Sequence, residues 1–82
     1  MKKFEFTGET KIWFGHTLHR IRAIKKIKLD MFTTVKPGDL GGWLEKESNL
    51  SQDGNAWVSD DARVYGNAWV SDDARVYGNA WV

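Results

Sequence analysis

The sequence predicts an all-β protein whose C-terminal part is a parallel β-solenoid. A twelve-residue repeat, a six-residue period within it and strand-like alternation predict this fold. Residues 55–66 read NAWVSDDARVYG, residues 67–78 repeat these letters unchanged, and residues 79–82 begin a third copy. Repetition at a fixed period is the sequence signature of repeat architectures. The six-residue period is carried by Ala56, Ala62, Ala68, Ala74 and Ala80, and by Val58, Val64, Val70, Val76 and Val82.

Each six-residue unit combines a short strand with a turn. The Ala-x-Val spacing places alanine and valine on one face of a strand and the residues between them on the other. Asp, Gly and Asn are residues that tolerate or stabilise bends. The predicted turn pairs are Asp60-Asp61, Gly66-Asn67, Asp72-Asp73 and Gly78-Asn79.

Two architectures use such units, and the facing of the side chains separates them. An antiparallel meander would place Val58 opposite Arg63 and so mix apolar and charged side chains on both faces. A chain that keeps turning in one sense directs every Ala and Val inward and every Trp, Arg, Ser and Tyr to solvent. A consistent inside-outside pattern fixes strand register, so the sequence favours the solenoid.

Residues 58–63 and 64–69 follow the order Val-x-x-x-Ala-x, which resembles the hexapeptide repeat of left-handed parallel β-helices. The resemblance implies about two triangular coils of about 18 residues each over residues 48–82, three hexads to a coil. Residues 1–47 are then a β-rich N-terminal cap. Residues 38–58 more narrowly resemble uncharacterised phage and bacterial hexapeptide-repeat proteins, which are named as transferases by fold alone.

An 18-residue coil makes the twelve-residue repeat stack unlike residues on one another. Trp57 is predicted to lie beneath Arg75, and Arg63 beneath Trp81. A guanidinium over an aromatic ring contributes about 0.5–1 kcal/mol at exposed sites. At the corners, the Asp60-Asp61 pair is predicted beneath Gly78-Asn79, so that no aspartate stacks on another.

The N-terminal part predicts strands with less regularity. Residues 17–28 carry apolar side chains at a spacing of three, which is compatible with a helix or an irregular strand, and their β-branched content favours the strand. The other predicted segments are short strands at residues 2–6 and 10–14 about a turn at residues 7–9, a turn at residues 35–39, and a lead-in to the coils at residues 40–45.

Composition excludes several classes of protein. A chain of 82 residues without cysteine has neither disulfides nor a thiolate metal site, and its single core is marginal, so self-association is expected. The longest apolar runs are three residues, which predicts no membrane span. Residues 4–9 lack the apolar stretch of a signal peptide, so a cytoplasmic or phage-particle location is expected.

The outward-facing aromatic and arginine residues are the predicted binding surface. Enrichment in these residue types suits protein partners, and exposed apolar patches mark interfaces. The repeat also stops part-way through a hexad, which predicts an open last coil. We therefore expect a non-catalytic structural module that self-associates or binds a protein partner through this open end and its Trp and Arg faces. The candidate residues are Trp57, Arg63, Tyr65, Trp69, Arg75, Tyr77, Trp81 and Val82.

Two alternatives stay open. The family resemblance implies an acyltransferase-like enzyme, but His16 and His19, the only histidines, lie outside the hexads, so no catalytic residue and no cofactor are predicted. A polyanion or glycan could stack on the tryptophans and pair with the basic residues between 20 and 28. A net charge of +1 argues against nucleic acid as the main ligand. The aspartate pairs lack the glycine-rich nonapeptide of calcium-binding β-rolls, so no metal site is expected.

Overall fold

The computed structural model describes residues 2–29 and 31–82. Strands dominate these ranges, which confirms the all-β prediction, and one short 3₁₀ helix spans Glu47–Asn49. The strands are β1 (Phe4–Trp13), β2 (His16–Ala23), β3 (Ile27–Lys28), β4 (Thr34–Val35), β5 (Leu40–Leu44), β6 (Trp57–Val58), β7 (Arg63–Val64) and β8 (Arg75–Val76). They form a four-stranded sheet in the order β1-β2-β5-β7 and two two-stranded sheets, β3-β4 and β6-β8. In these ranges no helix is long and apolar enough to cross a bilayer.

The hairpin of β1 and β2 turns at Phe14 and Gly15, where no turn was predicted from the sequence. Trp13 pairs with His16, and the two residues between them have positive φ angles of 47° and 78°. Two-residue loops with positive φ at both positions match the right-handed twist of antiparallel strands. Gly15 is the residue whose lack of a side chain makes this conformation accessible.

The turn predicted at residues 7–9 is wrong, because β1 runs through this segment as one strand. Phe6 pairs with Ile21, and Thr10 pairs with His19. Between these two pairs β1 therefore advances by four residues and β2 by two. The surplus residues form an irregularity of the β-bulge type, with Gly8 at a φ of 97°. A glycine in a strand pattern therefore marks a bulge here rather than a reversal.

The helix alternative for residues 17–28 is also wrong, because the segment forms β2 and β3. Strand β2 is antiparallel to both of its neighbours, β1 and β5. The predicted turn at residues 35–39 is confirmed, since the Asp39 amide donates to the Lys36 carbonyl at 3.0 Å and Gly38 has a φ of 94°.

Beyond residue 40 the strands of the repeat region pair in parallel, which excludes the antiparallel meander. Trp57 pairs with Arg75, and Arg63 with Trp81, each 18 residues further along the chain. The order of pairing visits three separate ladders in turn. They are β5-β7 continued by Trp81, the bridge between Leu50 and Val70, and β6-β8.

The corners confirm the predicted stacking of unlike residues. The amide of Asp61 donates to the carbonyl of Gly78 at 3.1 Å, and the amide of Gly78 donates to Asp60 Oδ2 at 3.2 Å. Every sixth residue at these corners has a positive φ, and aspartate is one of the few residues other than glycine that adopt this conformation. The φ angles are 72° at Gly54, 56° at Asp60, 63° at Gly66, 58° at Asp72 and 65° at Gly78.

The first return of the chain is two residues longer than the later ones, and the N-terminus docks at the insertion. Leu50 pairs with Val70, 20 residues on, whereas later partners are 18 apart. Gln52 lies in this longer segment, and its Oε1 accepts hydrogen bonds from the amides of Lys3 at 2.7 Å and Phe4 at 3.3 Å. The insertion thus fastens the start of β1 to the parallel ladders.

The main core joins the inward residues of the ladders to one side of the hairpin and of the β3-β4 pair. Its members are Phe4, Ile21, Ala23, Ile27, Val35, Leu44, Leu50, Ala56, Trp57, Val58, Ala62, Val64, Val70 and Val76. The prediction that Trp57 faces solvent is wrong, because its side chain is 1% exposed. A Cβ on Gly41 would lie 2.7 Å from Trp57 Cζ2, so the missing side chain leaves room for the indole.

Candidate functional site

The predicted site residues lie on three different faces. Arg63, Tyr65 and Trp81 lie where the hairpin tip meets the β5-β7 ladder. Trp57, Arg75 and Tyr77 line a groove beside the segment that follows β3. Trp69 is on a third face, and the amide of Val82 donates to the carbonyl of Arg63 at 2.9 Å beside the bridge to Trp81. The repeat is twelve residues long, which differs from the number of residues between partners in a ladder. Equivalent residues of the repeat therefore meet different neighbours.

The first of these surfaces is here called the hairpin face. It comprises Lys11, Trp13, Phe14, His16, Arg20, Trp43, Glu45, Arg63, Tyr65 and Trp81. The ring of Trp13 lies 4.9 Å from that of Trp81 and 5.3 Å from that of Tyr65, both edge-on. Edge-to-face pairs at such distances add about 0.5–1.5 kcal/mol beyond the area they bury. This aromatic contact holds the hairpin tip against the ladder.

Part of the hairpin face is open and apolar. The side chain of Phe14 is 78% exposed and that of Trp81 is 59% exposed, with their ring centroids 6.3 Å apart. Phe14 and Trp13 were not among the predicted site residues. The sequence signal for them was the apolar run at residues 12–14 directly before a glycine.

Both histidines have partners in the structure. The Nδ1 of His16 lies 3.0 Å from Glu45 Oε2, and its ring is 4.8 Å from that of Tyr65. His19 stacks on Phe6 with ring centroids 4.5 Å apart. The bond with His16, together with the amide of Gly66 donating at 2.7 Å, holds the pKa of Glu45 below its usual value. These contacts give the histidines packing and pairing roles.

A row of cations and aromatics crosses the hairpin face. Arg20 pairs with Trp43 across β2 and β5, and Trp43 pairs with Arg63 across β5 and β7. The Lys11 ammonium lies 4.2 Å from the centre of the Trp43 ring, and the Arg20 guanidinium lies 5.3 Å from it. One indole is therefore approached by two cations.

The guanidinium of Arg63 lies 5.1 Å from the ring of Trp13. From the sequence, this arginine was predicted to stack with Trp81, its neighbour in the ladder. The pairing of the two residues is as predicted. The ring beneath the guanidinium comes from the hairpin, which carries no repeat and so gave no register from which to predict the contact.

The charge of this row is uncompensated at short range. Within residues 2–29 and 31–82, none of Lys11, Arg20 and Arg63 has a carboxylate within 4.0 Å. Desolvation first, and then the nearby Arg63, lower the pKa of Lys11, although Asp61 partly opposes them. The indole nitrogen of Trp43 and the Nε of Arg63 are buried and have no hydrogen-bond partner in the described part of the chain.

The second surface is a groove of about 350 Å³. Buried Trp57 lines it together with Ser59 and the 65% exposed Tyr77. Leu29 and Thr33 form its opposite side. It combines an apolar floor with hydroxyl groups.

The third surface surrounds Trp69, whose side chain is 67% exposed. The indole borders a shallow hollow that Leu50 and the exposed ion pair of Lys2 with Glu47, at 2.9 Å, also line. Exposed pairs of this kind contribute about 0–1 kcal/mol. Trp69 is therefore the main apolar feature of this face.

The last layer, by which we mean residues 70–82 that end the three ladders, leaves alanine and valine positions of the repeat exposed. Ala62 is fully buried, whereas Ala74 and Ala80 are exposed and Val82 is 45% exposed. Val76 remains buried. The surface of this layer is thus apolar at repeat positions whose earlier counterpart, Ala62, is buried.

Comparisons with known proteins assign no family: no protein-family model matches the sequence, and no curated protein matches it. The resemblance to left-handed β-helices therefore stays a prediction.

Proposed function

We propose that this chain is a non-catalytic assembly module that self-associates through the surface of its last layer and the Trp and Arg side chains beside it. Its architecture in this proposal is a left-handed parallel β-helix of about two coils, with residues 1–47 as a cap. The observation that carries the proposal is the exposure of alanines in the last layer that occupy inward positions.

The pairing pattern supports the coil geometry. Partners 18 residues apart, three ladders visited in turn and a positive φ at every sixth residue are what three hexads per coil require. Each layer of such a stack presents backbone groups that the next layer pairs. The outermost layer then exposes an edge, and uncovered edges are templates for association.

The edge that this proposal uses is that of the last layer. Strand β5 pairs in parallel with β7 on one side and antiparallel with β2 on the other, so the hairpin of β1 and β2 covers this ladder at its first strand. In this proposal two copies meet last layer to last layer. An interface that uses the same patch on both partners is isologous and closes as a two-fold dimer. A second copy of this chain is the partner we propose.

Ala80 gives a direct test of this interface. Replacing Ala80 with lysine puts a charge on the apolar surface of the last layer, where a second copy would have to bury it without a partner. We expect the unmodified chain to be a dimer by light scattering at micromolar concentrations and the Ala80→Lys chain to be a monomer with an unchanged circular dichroism spectrum.

Asn55→Lys is the matched control, because it adds the same charge at an exposed corner of an earlier layer. It should leave the dimer intact. A strictly monomeric unmodified chain across micromolar concentrations would overturn the proposal, as would equal weakening by both substitutions.

A further inference from the structure

Among the described residues, the cationic row of the hairpin face has ring and carbonyl contacts but no carboxylate within 4.0 Å, and this sets it apart from other charges of the protein. Arg22 is paired with Glu5, and Lys2 is paired with Glu47. The three cations near Trp43 have no such carboxylate among the residues described. Two of these cations lie over the Trp43 ring, and the third, Arg63, is the strand neighbour of Trp43 and lies over the Trp13 ring. The mutual repulsion of three like charges in one row opposes folding.

The donors of this row are close together and partly fixed. The Nε of Arg20 donates to the carbonyl of Gly41 at 3.0 Å, which orients the guanidinium. Trp43 lies between Arg20 and Arg63 in the strand pairing, and Lys11 reaches over its ring from β1. Four donor side chains from four neighbouring strands thus meet at one place.

Two of the N–H groups at this place are buried and unsatisfied. Trp43 is 4% exposed, and neither its indole nitrogen nor the Nε of Arg63 has a hydrogen-bond partner in the described ranges. Leaving a buried donor unpaired costs about 1–3 kcal/mol. An acceptor carrying negative charge would satisfy such a donor and offset the repulsion between the cations.

We infer that Lys11, Arg20, Arg63 and the indole N–H of Trp43 form a binding site for a tetrahedral oxyanion, a phosphate or sulfate group. A group with several acceptor oxygens fits two planar guanidiniums, an ammonium and an indole N–H at once. The side chains of Lys11 and Arg20 are partly exposed, so an anion in solution can reach them. The site borders the last layer, because Arg63 pairs with Trp81, but binding of an oxyanion is a function separate from the assembly proposed above.

The charges around the site set how tightly it binds. Asp61 and Glu9 act on Lys11 at longer range, and they raise its pKa against the larger lowering effects. They weaken the positive field without pairing with the ammonium. The site is therefore expected to prefer a doubly charged oxyanion to chloride.

The test is a titration of the 82-residue chain with inorganic phosphate and with sulfate, at constant ionic strength set with chloride. The indole proton of Trp43, assigned by its loss in Trp43→Phe, is followed by NMR. We expect a saturable shift of this proton with phosphate or sulfate and no shift with chloride. A sulfated polysaccharide forms the second arm. Saturation by the free ions identifies the oxyanion alone as the ligand, and saturation by the polymer only identifies a ligand carrying several such groups.

Matched variants separate this site from general charge attraction. Lys11→Gln should weaken binding about tenfold, the value of one charge-assisted hydrogen bond, whereas Lys11→Arg should retain binding. Lys26→Gln removes an exposed charge elsewhere on the cap and should change nothing. Absence of a saturable Trp43 shift with all three probes would overturn the inference, and so would equal weakening by Lys11→Gln and Lys26→Gln.

Discussion

The two copies of NAWVSDDARVYG have one sequence and two environments. Trp57 in the first copy is 1% exposed, and its counterpart Trp69 in the second is 67% exposed. Ala62 is fully buried, whereas its counterpart Ala74 is exposed. Identical local sequence therefore does not set burial in this protein.

The difference follows from two periods that do not match. The repeat advances by twelve residues, and the chain returns to a ladder after 18. Equivalent residues consequently lie on different ladders: Trp57 belongs to the β6-β8 ladder, and Trp69 precedes the bridge residue Val70. The ladder to which a residue belongs, and the non-repeating strands that pack against it, decide which copy of a residue is part of the core.

The two tryptophans should show the largest contrast. Trp57→Ala removes a buried indole from the core and should lower the free energy of unfolding by about 3–5 kcal/mol. Trp69→Ala removes an exposed one and should change it by no more than about 0.5 kcal/mol. Urea unfolding of both variants measures the difference.

Trp57→Phe keeps the experiment informative if the alanine variant does not fold, because it retains a ring in the same space. It should fall between the unmodified chain and Trp57→Ala. Equal destabilisation by Trp57→Ala and Trp69→Ala would mean that the two copies share an environment.

The two copies also differ in the donor that satisfies an equivalent carbonyl. The carbonyl of Ala56 accepts from the Lys3 ammonium at 2.6 Å, and that of Ala68 accepts from Asn49 Nδ2 at 2.8 Å. Lys3 and Asn49 are both buried. One copy is thus joined to the N-terminus by a charged group and the other to the 3₁₀ helix by a neutral one.

The contact of Lys3 with the first copy predicts that stability depends on pH, whereas the contact of Asn49 with the second copy predicts no such dependence. Burial, and then the nearby charge of Lys25, lower the pKa of Lys3 from 10.5 to about 8. Between these values the unfolded chain binds more protons than the folded one, so the free energy of unfolding rises with pH. The rise should be on the order of 2 kcal/mol between pH 8 and 10.5. Chemical denaturation at a series of pH values measures it.

Two substitutions assign this slope. Lys3→Met fills the same space without a charge and should remove most of the rise, and the lowered pKa of Lys11 should leave a smaller slope of the same sign. Asn49→Leu should lower stability at every pH and leave the slope unchanged. A slope that survives Lys3→Met in full would show that Lys3 is not its source.

The repeat made the ladders and corners predictable from sequence. Ala-x-Val alternation and the turn pairs are local features, and the predicted pairing of Trp57 with Arg75 and of Arg63 with Trp81 needed only the return length. For residues 17–28, composition likewise favoured a strand over a helix, and the segment forms β2 and β3.

The contacts made by the cap were not predictable in this way. The burial of Trp57, the packing of Trp13 on Arg63 and the turn at Phe14 depend on how a non-repeating hairpin folds over the ladders. The cationic site was not predicted for the same reason. Lys11, Arg20 and Trp43 are far apart in sequence and come together only through antiparallel pairing across β1, β2 and β5. Without a period, no register could be assigned to these residues.

The glycines at equivalent corners give the finest version of the comparison. Gly54 and Gly66 have similar positive φ angles, 72° and 63°, so alanine at either position meets the same backbone strain. A Cβ at Gly54 would lie 2.9 Å from the carbonyl oxygen of Asp72, whereas one at Gly66 would meet nothing within 4 Å. We expect Gly66→Ala to destabilise the fold by about 1 kcal/mol and Gly54→Ala by about 1 kcal/mol more. Thermal unfolding of the two variants side by side isolates the crowding that the next layer imposes. Equal melting temperatures would show that the Asp72 carbonyl does not lie close to Gly54. The close contact between these two corners would then be wrong.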